Sequence, residues 1–214
     1  MGFPDWRCPF NELYMDVFIE WAFSNKVELI GTLFGLIYVW LSIRQSLHTW
    51  TAGIITSLLY CWVFFEAKFY AGMGLQGYYL IISIYGLRSW RSGGDNSSDG
   101  ETLHISCTKV NLWVKLFILN LFLTLLVYYL LSRYTDSPIP FGDAFTTSLS
   151  IIATWMLARK KIEHWLIWIF IDLISCGLYL YRGLYPTVFL FLVYAVMAVI
   201  GYCEWRKELV KGSC

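Results

Sequence analysis

The chain has 214 residues, of which 58% are hydrophobic and only 14% are charged, with a formal net charge of +1. Soluble domains average about a quarter charged residues. This composition and the mean hydropathy of +0.57 exclude an ordinary soluble protein and predict helices that cross a lipid bilayer. The overall charge by itself says little, and we expect no nucleic-acid partner.

The first predicted element lies in residues 1–27, which we expect outside the cytoplasm. The stretch Glu12–Ser24 places Leu13, Val17 and Trp21 on one face of a helix, with its acidic residues elsewhere. This pattern is typical of a helix that lies on the membrane surface without crossing it. The charges spread along Met1–Lys26 argue against a cleavable signal peptide.

Seven apolar windows follow, most of them near the roughly 17–25 residues that a transmembrane helix needs. They lack the polar faces of soluble helices, so we predict an all-α integral membrane protein with seven spans. The sixth window is interrupted only by Asp172. The windows are Leu29–Ile43, Thr49–Phe65, Phe69–Leu87, Leu116–Ser132, Ala144–Ala158, Trp165–Tyr181 and Gly183–Cys203.

Residues 28–90 and 143–205 are two copies of one 63-residue unit, related by a constant offset of 115 without a gap. Thirteen aligned pairs are identical, among them Trp40/Trp155, Arg44/Arg159, Trp50/Trp165, Cys61/Cys176, Gly86/Gly201 and Trp90/Trp205. A repeat of this kind indicates one duplicated structural unit. We call residues 115 positions apart counterparts.

The repeat divides the chain into a first three-helix unit (28–91), a connecting region (92–142), a second three-helix unit (143–205) and a tail (206–214). The connecting region combines the flexible linker Ser92–Asp99, the fourth span and a rigid outer turn at Ser137–Gly142. Each unit holds an odd number of spans, so two units joined directly would face opposite ways, and the fourth span restores the direction. The sequence thus predicts a 3+1+3 arrangement with parallel repeats, as in SWEET-type carriers.

The basic residues orient this arrangement in the membrane. Sorting all Lys and Arg by side of the predicted spans gives eleven on the side of the tail and five on the other. Cytoplasmic loops are enriched in Lys and Arg. We therefore expect the C-terminus in the cytoplasm and the N-terminus outside.

Asp172 is the one ionisable side chain well inside a predicted span, and its counterpart is the uncharged Ser57. Such carboxylates usually line a cavity or bind a cation, although neighbouring hydroxyls can also satisfy one within a packed core. Trp168 lies four residues earlier on the same helix face. A planar cation can stack on this indole while its charge meets the carboxylate.

Five further residues complete the predicted substrate site. Gln76 and Thr147 are polar side chains inside spans, for which hydrogen bonding between helices is the competing interpretation. Trp155, Trp50 and Tyr85 are aromatic candidates, and the competing role of the Trp residues at span ends is an interfacial belt.

Metal and enzyme chemistry have little support. The six cysteines show no CxxC spacing, and none of the three histidines lies inside a predicted span. We expect no metal, no cofactor and no catalytic residues, because Asp172 alone cannot supply an acid, a base and a nucleophile. A retinal protein is disfavoured, since the last span has no Lys for a Schiff base.

Four segments, VWLSIRQSLHTWTAGI, LQGYYLIISIYGLRSW, SIIATWMLARKKIEHWLIWIFIDLISCGLYLYRGLY and IGYCEW, are similar to the PnuC family of nicotinamide riboside transporters. The resemblance covers about residues 28–205. It implies a bacterial inner-membrane carrier that imports this vitamin B3 nucleoside by facilitated diffusion for NAD synthesis. Phosphorylation by a separate cytosolic kinase would trap the imported vitamin.

The alternatives are a carrier of thiamine or riboflavin, which members of the same family transport, or a SWEET-type sugar carrier. The Pro-Gln pair that marks SWEET repeats is absent, and so is a Walker motif for an ATP-driven pump. A heptahelical receptor remains a more distant alternative. The expected partners are the small-molecule substrate, the lipid bilayer and further copies of the chain in a homo-oligomer such as a trimer.

Overall fold

The computed structural model describes residues 26–66, 70–92, 103–135 and 138–212. These residues form seven helices, and each overlaps one of the seven predicted windows. The helices are α1 (Lys26–Ile43), α2 (His48–Glu66), α3 (Tyr70–Arg91), α4 (Val110–Tyr134), α5 (Pro140–Ala158), α6 (His164–Tyr181) and α7 (Tyr185–Gly212). The all-α class is confirmed for the described residues. The predicted surface helix at Glu12–Ser24 and residues 93–102, which hold most of the linker, lie outside them.

Three of the described helices are long and apolar enough to cross a bilayer by length and composition: α4, α6 and α7 up to Lys211. Within the part of α1 whose side chains the structure describes, Thr32–Ile43 is an apolar stretch. The remaining helices carry more Ser, Thr, Gly, Trp and Tyr, which lower their hydropathy; α3 is an example, with the sequence YAGMGLQGYYLIISIYGLRSWR. The structure therefore confirms seven helices in the described residues, three of which are long and apolar enough for a span, and seven spans stay a prediction.

Several helices extend beyond the predicted windows, and two of these extensions reach into a segment expected to be a turn or a tail. Helix α5 begins at Pro140, inside the expected outer turn, because proline at the first position of a helix loses no backbone hydrogen bond. Its first turn is fixed by Asp143, whose carboxylate accepts a hydrogen bond of 2.9 Å from Arg182 at the end of α6. Helix α7 continues to Gly212, so most of the expected tail is helical.

Six helices form a closed ring in the order α1, α2, α3, α5, α6 and α7, in which α7 contacts α1 again. Exchanging α1 with α5, α2 with α6 and α3 with α7 maps this set of contacts onto itself. Among the described helices, α4 packs against α5 alone. The ring therefore consists of the three helices of the first repeat followed by the three helices of the second, and α4 lies outside it.

The two repeats also share their internal packing. The Trp50 and Trp90 rings meet edge to face at 5.4 Å and 89°, and their counterparts Trp165 and Trp205 meet at 5.7 Å and 87°. The Trp90 and Trp205 rings lie 6.4 Å apart and join the two halves. We call the end of the bundle that holds these four rings the tryptophan end. The tryptophans that are identical in the two sequence repeats therefore make equivalent packing contacts in both.

The α1–α2 and α5–α6 loops meet at this end through a pair of counterparts. Gln45 and Lys160 have positive φ angles of 53° and 46°, and Lys160 Nζ donates a 2.9 Å hydrogen bond to Gln45 Oε1. Gln45 in turn donates to Glu208 of α7. Burial lowers the pKa of Lys160, and the nearby Glu208 carboxylate opposes this shift. The two loops therefore close the tryptophan end together.

The α5–α6 loop has a further support in residues 103–109, which we call the strap. Ser106 pairs with Lys161 in an isolated parallel bridge. The Glu163 carboxylate accepts two hydrogen bonds from Thr108, of 2.7 Å from its backbone nitrogen and 2.8 Å from its hydroxyl. The chain that leads into α4 is thereby fixed to the second repeat.

Candidate functional site

A cavity of about 220 Å³ opens between α1, α6 and α7, next to the end of α5. It lies at the junction of the two repeats, because α1 belongs to the first and the other helices to the second. Its wall is almost entirely apolar and aromatic. The lining residues are Gly35, Tyr38, Val39, Ser42, Leu157, His164, Trp165, Trp168, Asp172, Phe191, Tyr194 and Ala198.

Helix α6 contributes the chemistry of this wall. His164, Trp168 and Asp172 are spaced four residues apart and therefore lie along one face of the helix. Asp172 is 3% exposed and is the one carboxylate in the wall. Within the part of the chain that the structure describes, no residue donates a hydrogen bond to it. A buried carboxylate of this kind favours a cation in the cavity, since burying an uncompensated charge is costly.

Helices α1 and α7 close the cavity on the opposite side. Gly35 is required there because a side-chain Cβ would overlap the hydroxyl of Tyr194. Phe191 lies on the same helix as Tyr194 and stacks on Tyr179 at 5.2 Å. Aromatic rings therefore line the same cavity as the carboxylate, an arrangement suited to a flat, positively charged ligand.

His164 is a wall residue that the sequence reasoning missed. It is fully buried as the first residue of α6, in a helix apolar enough to span the membrane, so the expectation that no histidine lies in a span is wrong. Its Nδ1 lies 2.7 Å from the carbonyl oxygen of Lys161, and its Nε2 is buried without a partner among the described residues. The spacing of eight residues from Asp172 was the signal that could have found it.

The predicted site residues fall into two groups. Trp168 and Asp172 come together in the cavity wall, as the sequence predicted. The other five lie outside that wall in this structure. They are Gln76, Thr147, Trp155, Trp50 and Tyr85.

Gln76 and Thr147 are half-buried on α3 and α5. The counterpart of Gln76 is Phe191, which does line the cavity, so Gln76 occupies the equivalent position in the other half. Thr147 belongs to a hydroxyl-rich helix whose neighbouring Ser148 and Thr154 each donate a 2.7 Å hydrogen bond to the carbonyl four residues earlier. This pattern agrees with a packing role for most hydroxyls of α5.

The three aromatic candidates have other contacts. Trp50 is fully buried in the cluster of rings at the tryptophan end. Trp155 and Tyr85 both contact the Arg159 guanidinium, with ring centroids 5.3 and 5.8 Å from its central carbon. These cation–π contacts link α3 to the end of α5.

Apolar helices packed in a pseudo-symmetric ring, with a cavity and its carboxylate at one junction of the two repeats, are typical of a multi-pass membrane protein of the transporter class. Residues 25–207 match the family described as "Nicotinamide mononucleotide transporter". This match covers most of the chain, and the protein therefore belongs to that family.

Curated relatives agree on transport. The chain is 24% identical over 201 residues to the nicotinamide riboside transporter PnuC of Escherichia coli, covering 84% of each protein. It is 25% identical over 217 residues to PnuC of Haemophilus influenzae, covering 97% of this chain and 93% of the relative. It is also 25% identical over 182 residues to the riboflavin/roseoflavin transporter RibM of Streptomyces davaonensis, covering 83% of each. These relatives are transporters and not enzymes.

A solved structure described as the "Crystal structure of the Vitamin B3 transporter PnuC" has the same fold. It superposes with a TM-score of 0.69 at 20% sequence identity, covering 98% of this chain and 94% of the other. At this identity the match shows the fold alone.

Proposed function

We propose that this protein imports nicotinamide riboside across the bacterial inner membrane. The observation that carries the proposal is the aromatic cavity in which Asp172 is the one carboxylate. Nicotinamide riboside has a positively charged pyridinium ring and an uncharged sugar, so one carboxylate can compensate its charge. The names of the relatives from E. coli and H. influenzae support the same substrate.

In the proposed complex the pyridinium ring stacks on Trp168 and its charge faces Asp172. Phe191 and Tyr194 enclose the ring from α7. Gln76 occupies the position equivalent to Phe191 in the first repeat. We propose that Gln76, together with Thr147, Trp155, Trp50 and Tyr85, contacts the substrate when it moves toward the α2–α3–α5 side of the ring.

The proposed architecture is a 3+1+3 arrangement of seven spans, with the tryptophan end in the cytoplasm and the N-terminus outside. The contact pattern of the ring and the peripheral position of α4 support it. The basic residues of the α1–α2 and α5–α6 loops lie at the tryptophan end, in agreement with the charge rule. We expect the protein to work as a homo-oligomer such as a trimer.

The cavity chemistry favours the nucleoside over the mononucleotide that the family description names. A phosphate needs Arg or Lys partners, and no residue of either type lines the cavity. Desolvating a phosphate without such partners costs at least several kcal/mol, which corresponds to about a thousandfold or more in affinity.

A competition binding experiment with the purified protein tests both the identity of the substrate and the exclusion of its phosphorylated form. We expect nicotinamide riboside to bind at least about a thousandfold more tightly than nicotinamide mononucleotide. Thiamine, riboflavin and a sugar serve as comparison ligands, since RibM shows that a riboflavin carrier can be equally similar in sequence. Tighter binding of riboflavin, or equal affinities for nucleoside and mononucleotide, would contradict the proposal.

We further propose that transport is facilitated diffusion and that phosphorylation by a cytosolic kinase traps the product. The imidazole of His164 and the carboxylate of Asp172 in the cavity wall are eight residues apart, about 12 Å along the helix. They are too far apart to pass a proton directly. Uptake into proteoliposomes should therefore equilibrate without a proton or sodium gradient. Accumulation driven by either gradient would show that Asp172 is a coupling residue.

A further inference from the structure

We infer that the seam between α1 and α7, along which these two helices pack, is the gate through which the cavity opens at the tryptophan end, and that Trp205 holds this gate shut. The inference rests on the proposed transport function and orientation, in which the tryptophan end faces the cytoplasm. It assigns the contacts that must break before a transported molecule leaves on that side.

The tryptophan end is closed in this structure. The four rings that define it, Trp50, Trp90, Trp165 and Trp205, are all buried. Trp165 also lines the cavity, and its ring meets Trp205 edge to face. A molecule in the cavity therefore meets packed indoles in this direction, and helices must move apart before it can leave.

The seam between α1 and α7 borders both the cavity and the tryptophan end. Ser42 near the end of α1 and Ala198 on α7 both line the cavity. Trp205 follows Ala198 by seven residues, about two helical turns or 10 Å along α7. Separating the two helices at this level would therefore connect the cavity with the cytoplasm.

Hydrogen bonds join the two sides of this seam. The Trp205 Nε1 donates to the backbone carbonyl oxygens of Ser42 and Ile43, at 3.3 and 3.2 Å. These are the last two residues of α1, where carbonyl groups have no partner within the helix. Nearer the surface, the Gln45 amide donates to the Glu208 carboxylate. Helix α7 thus binds the end of α1 at two successive levels.

The equivalent seam between α3 and α5 lacks the indole hydrogen bond. Trp90 is the counterpart of Trp205 and is also buried, but its Nε1 has no partner in the part of the chain that the structure describes. Instead, Lys160 Nζ lies 4.7 Å from the centroid of the Trp90 ring. Packing of the repeated framework alone would give the bond at both seams. Its presence at the seam that borders the cavity indicates a role connected with the cavity.

The gate is tested first by the reactivity of a thiol in the cavity wall, which needs no substrate. In a full-length chain whose six cysteines are replaced, Ser42→Cys places one thiol at a wall position that is 2% exposed. A membrane-impermeant thiol reagent is applied to inverted membrane vesicles, so that it arrives from the cytoplasmic side. Trp205→Phe keeps a ring but removes the N–H donor, and should raise the modification rate about fivefold.

Trp90→Phe is the matched control. It makes the same change of ring at the counterpart position, where the N–H bonds to none of the described residues. The modification rate should therefore change by less than about twofold. Equal increases in Trp205→Phe and Trp90→Phe, or no increase in either, would overturn the inference.

Locking the seam tests its role in transport, in a chain that keeps Trp205. In the cysteine-free chain, Gln45→Cys with Glu208→Cys allows a short bifunctional thiol reagent to join α7 to the end of α1. Cross-linking should lower riboside uptake into proteoliposomes at least about tenfold while binding in detergent stays within about twofold. Ser106→Cys with Lys161→Cys is the control, because its cross-link joins the strap to a loop that it already pairs with, and uptake should not change.

Unchanged uptake after the seam is cross-linked would also contradict the gate. If Trp205→Phe does not fold, the cross-linking experiment decides alone. If the wild-type protein takes up no riboside, the proposed function fails, while the modification rates still decide whether this seam opens.

Discussion

The two repeats have the same framework but different interiors. In the second repeat, Trp168 lines the cavity; its counterpart in the first repeat is Gly53, where an added Cβ would lie 2.7 Å from the Ser83 hydroxyl oxygen. Where Asp172 is buried in the second repeat, Ser57 is buried to the same 3% exposure in the first. The two repeats thus share the packing that holds the helices, while differences at a few interior positions give the second repeat the indole and the carboxylate of the cavity wall.

The largest predicted effect is a loss of stability at the glycine–tryptophan contacts that the two repeats share. A Cβ at Gly86 would lie 2.5 Å from the Trp50 indole, and one at Gly201 would lie 2.6 Å from the Trp165 indole. Gly86→Ala and Gly201→Ala should therefore each lower stability by about 3 kcal/mol, toward the upper end for overpacking. Thermal unfolding in detergent measures this loss.

Gly177→Ala is the matched control, because a Cβ at this helical position meets nothing within 4 Å. It should leave the melting temperature unchanged or raise it slightly, since alanine favours helix more than glycine does. If one of the two tryptophan-facing variants proved as stable as this control, the two frameworks would not be equivalent.

The second-largest predicted effect distinguishes the second repeat from the first. Asp172→Ala should weaken nicotinamide riboside binding by about 2 kcal/mol, or roughly thirtyfold, because the cation loses its buried counter-charge. Ser57→Ala changes the counterpart position and should leave the affinity within about twofold. Isothermal titration calorimetry on both variants decides the matter, and equal losses would mean that the site is shared symmetrically by the two repeats.

The smallest effect tests how far the site extends into the first repeat. Gln76→Ala should weaken binding by about 1 kcal/mol, or roughly fivefold, if the amide contacts the substrate during part of the transport cycle. Its counterpart variant, Phe191→Ala, removes a ring from the cavity wall itself. Should Gln76→Ala bind and transport like the wild type, the amide has a packing role; unchanged affinity in both Gln76→Ala and Asp172→Ala would remove the proposed site altogether.

The architecture could be predicted from the sequence because its signals are local or repeat at a fixed distance. Long apolar windows predicted the seven helices, and the offset of 115 predicted that Trp50 and Trp165 are equivalent. In the structure each of these rings meets the last tryptophan of its own repeat edge to face at a similar distance. Serine, threonine, glycine and aromatic residues lower the hydropathy of α2, α3 and α5, so among the described helices length and hydropathy mark α4, α6 and α7 as long and apolar enough to cross a bilayer.

For the site, the sequence by itself determined that Trp168 and Asp172 share one face of α6, since a spacing of four residues fixes this in any helix. Only the tertiary structure decided that Tyr38 and Tyr194 complete the wall and that Gln76 lies outside it. It also decided that His164 is fully buried at a helix start that appeared to belong to a loop. The physical reason is that helical periodicity specifies neighbours within one helix, whereas contacts between helices far apart in sequence depend on how each helix is rotated and packed.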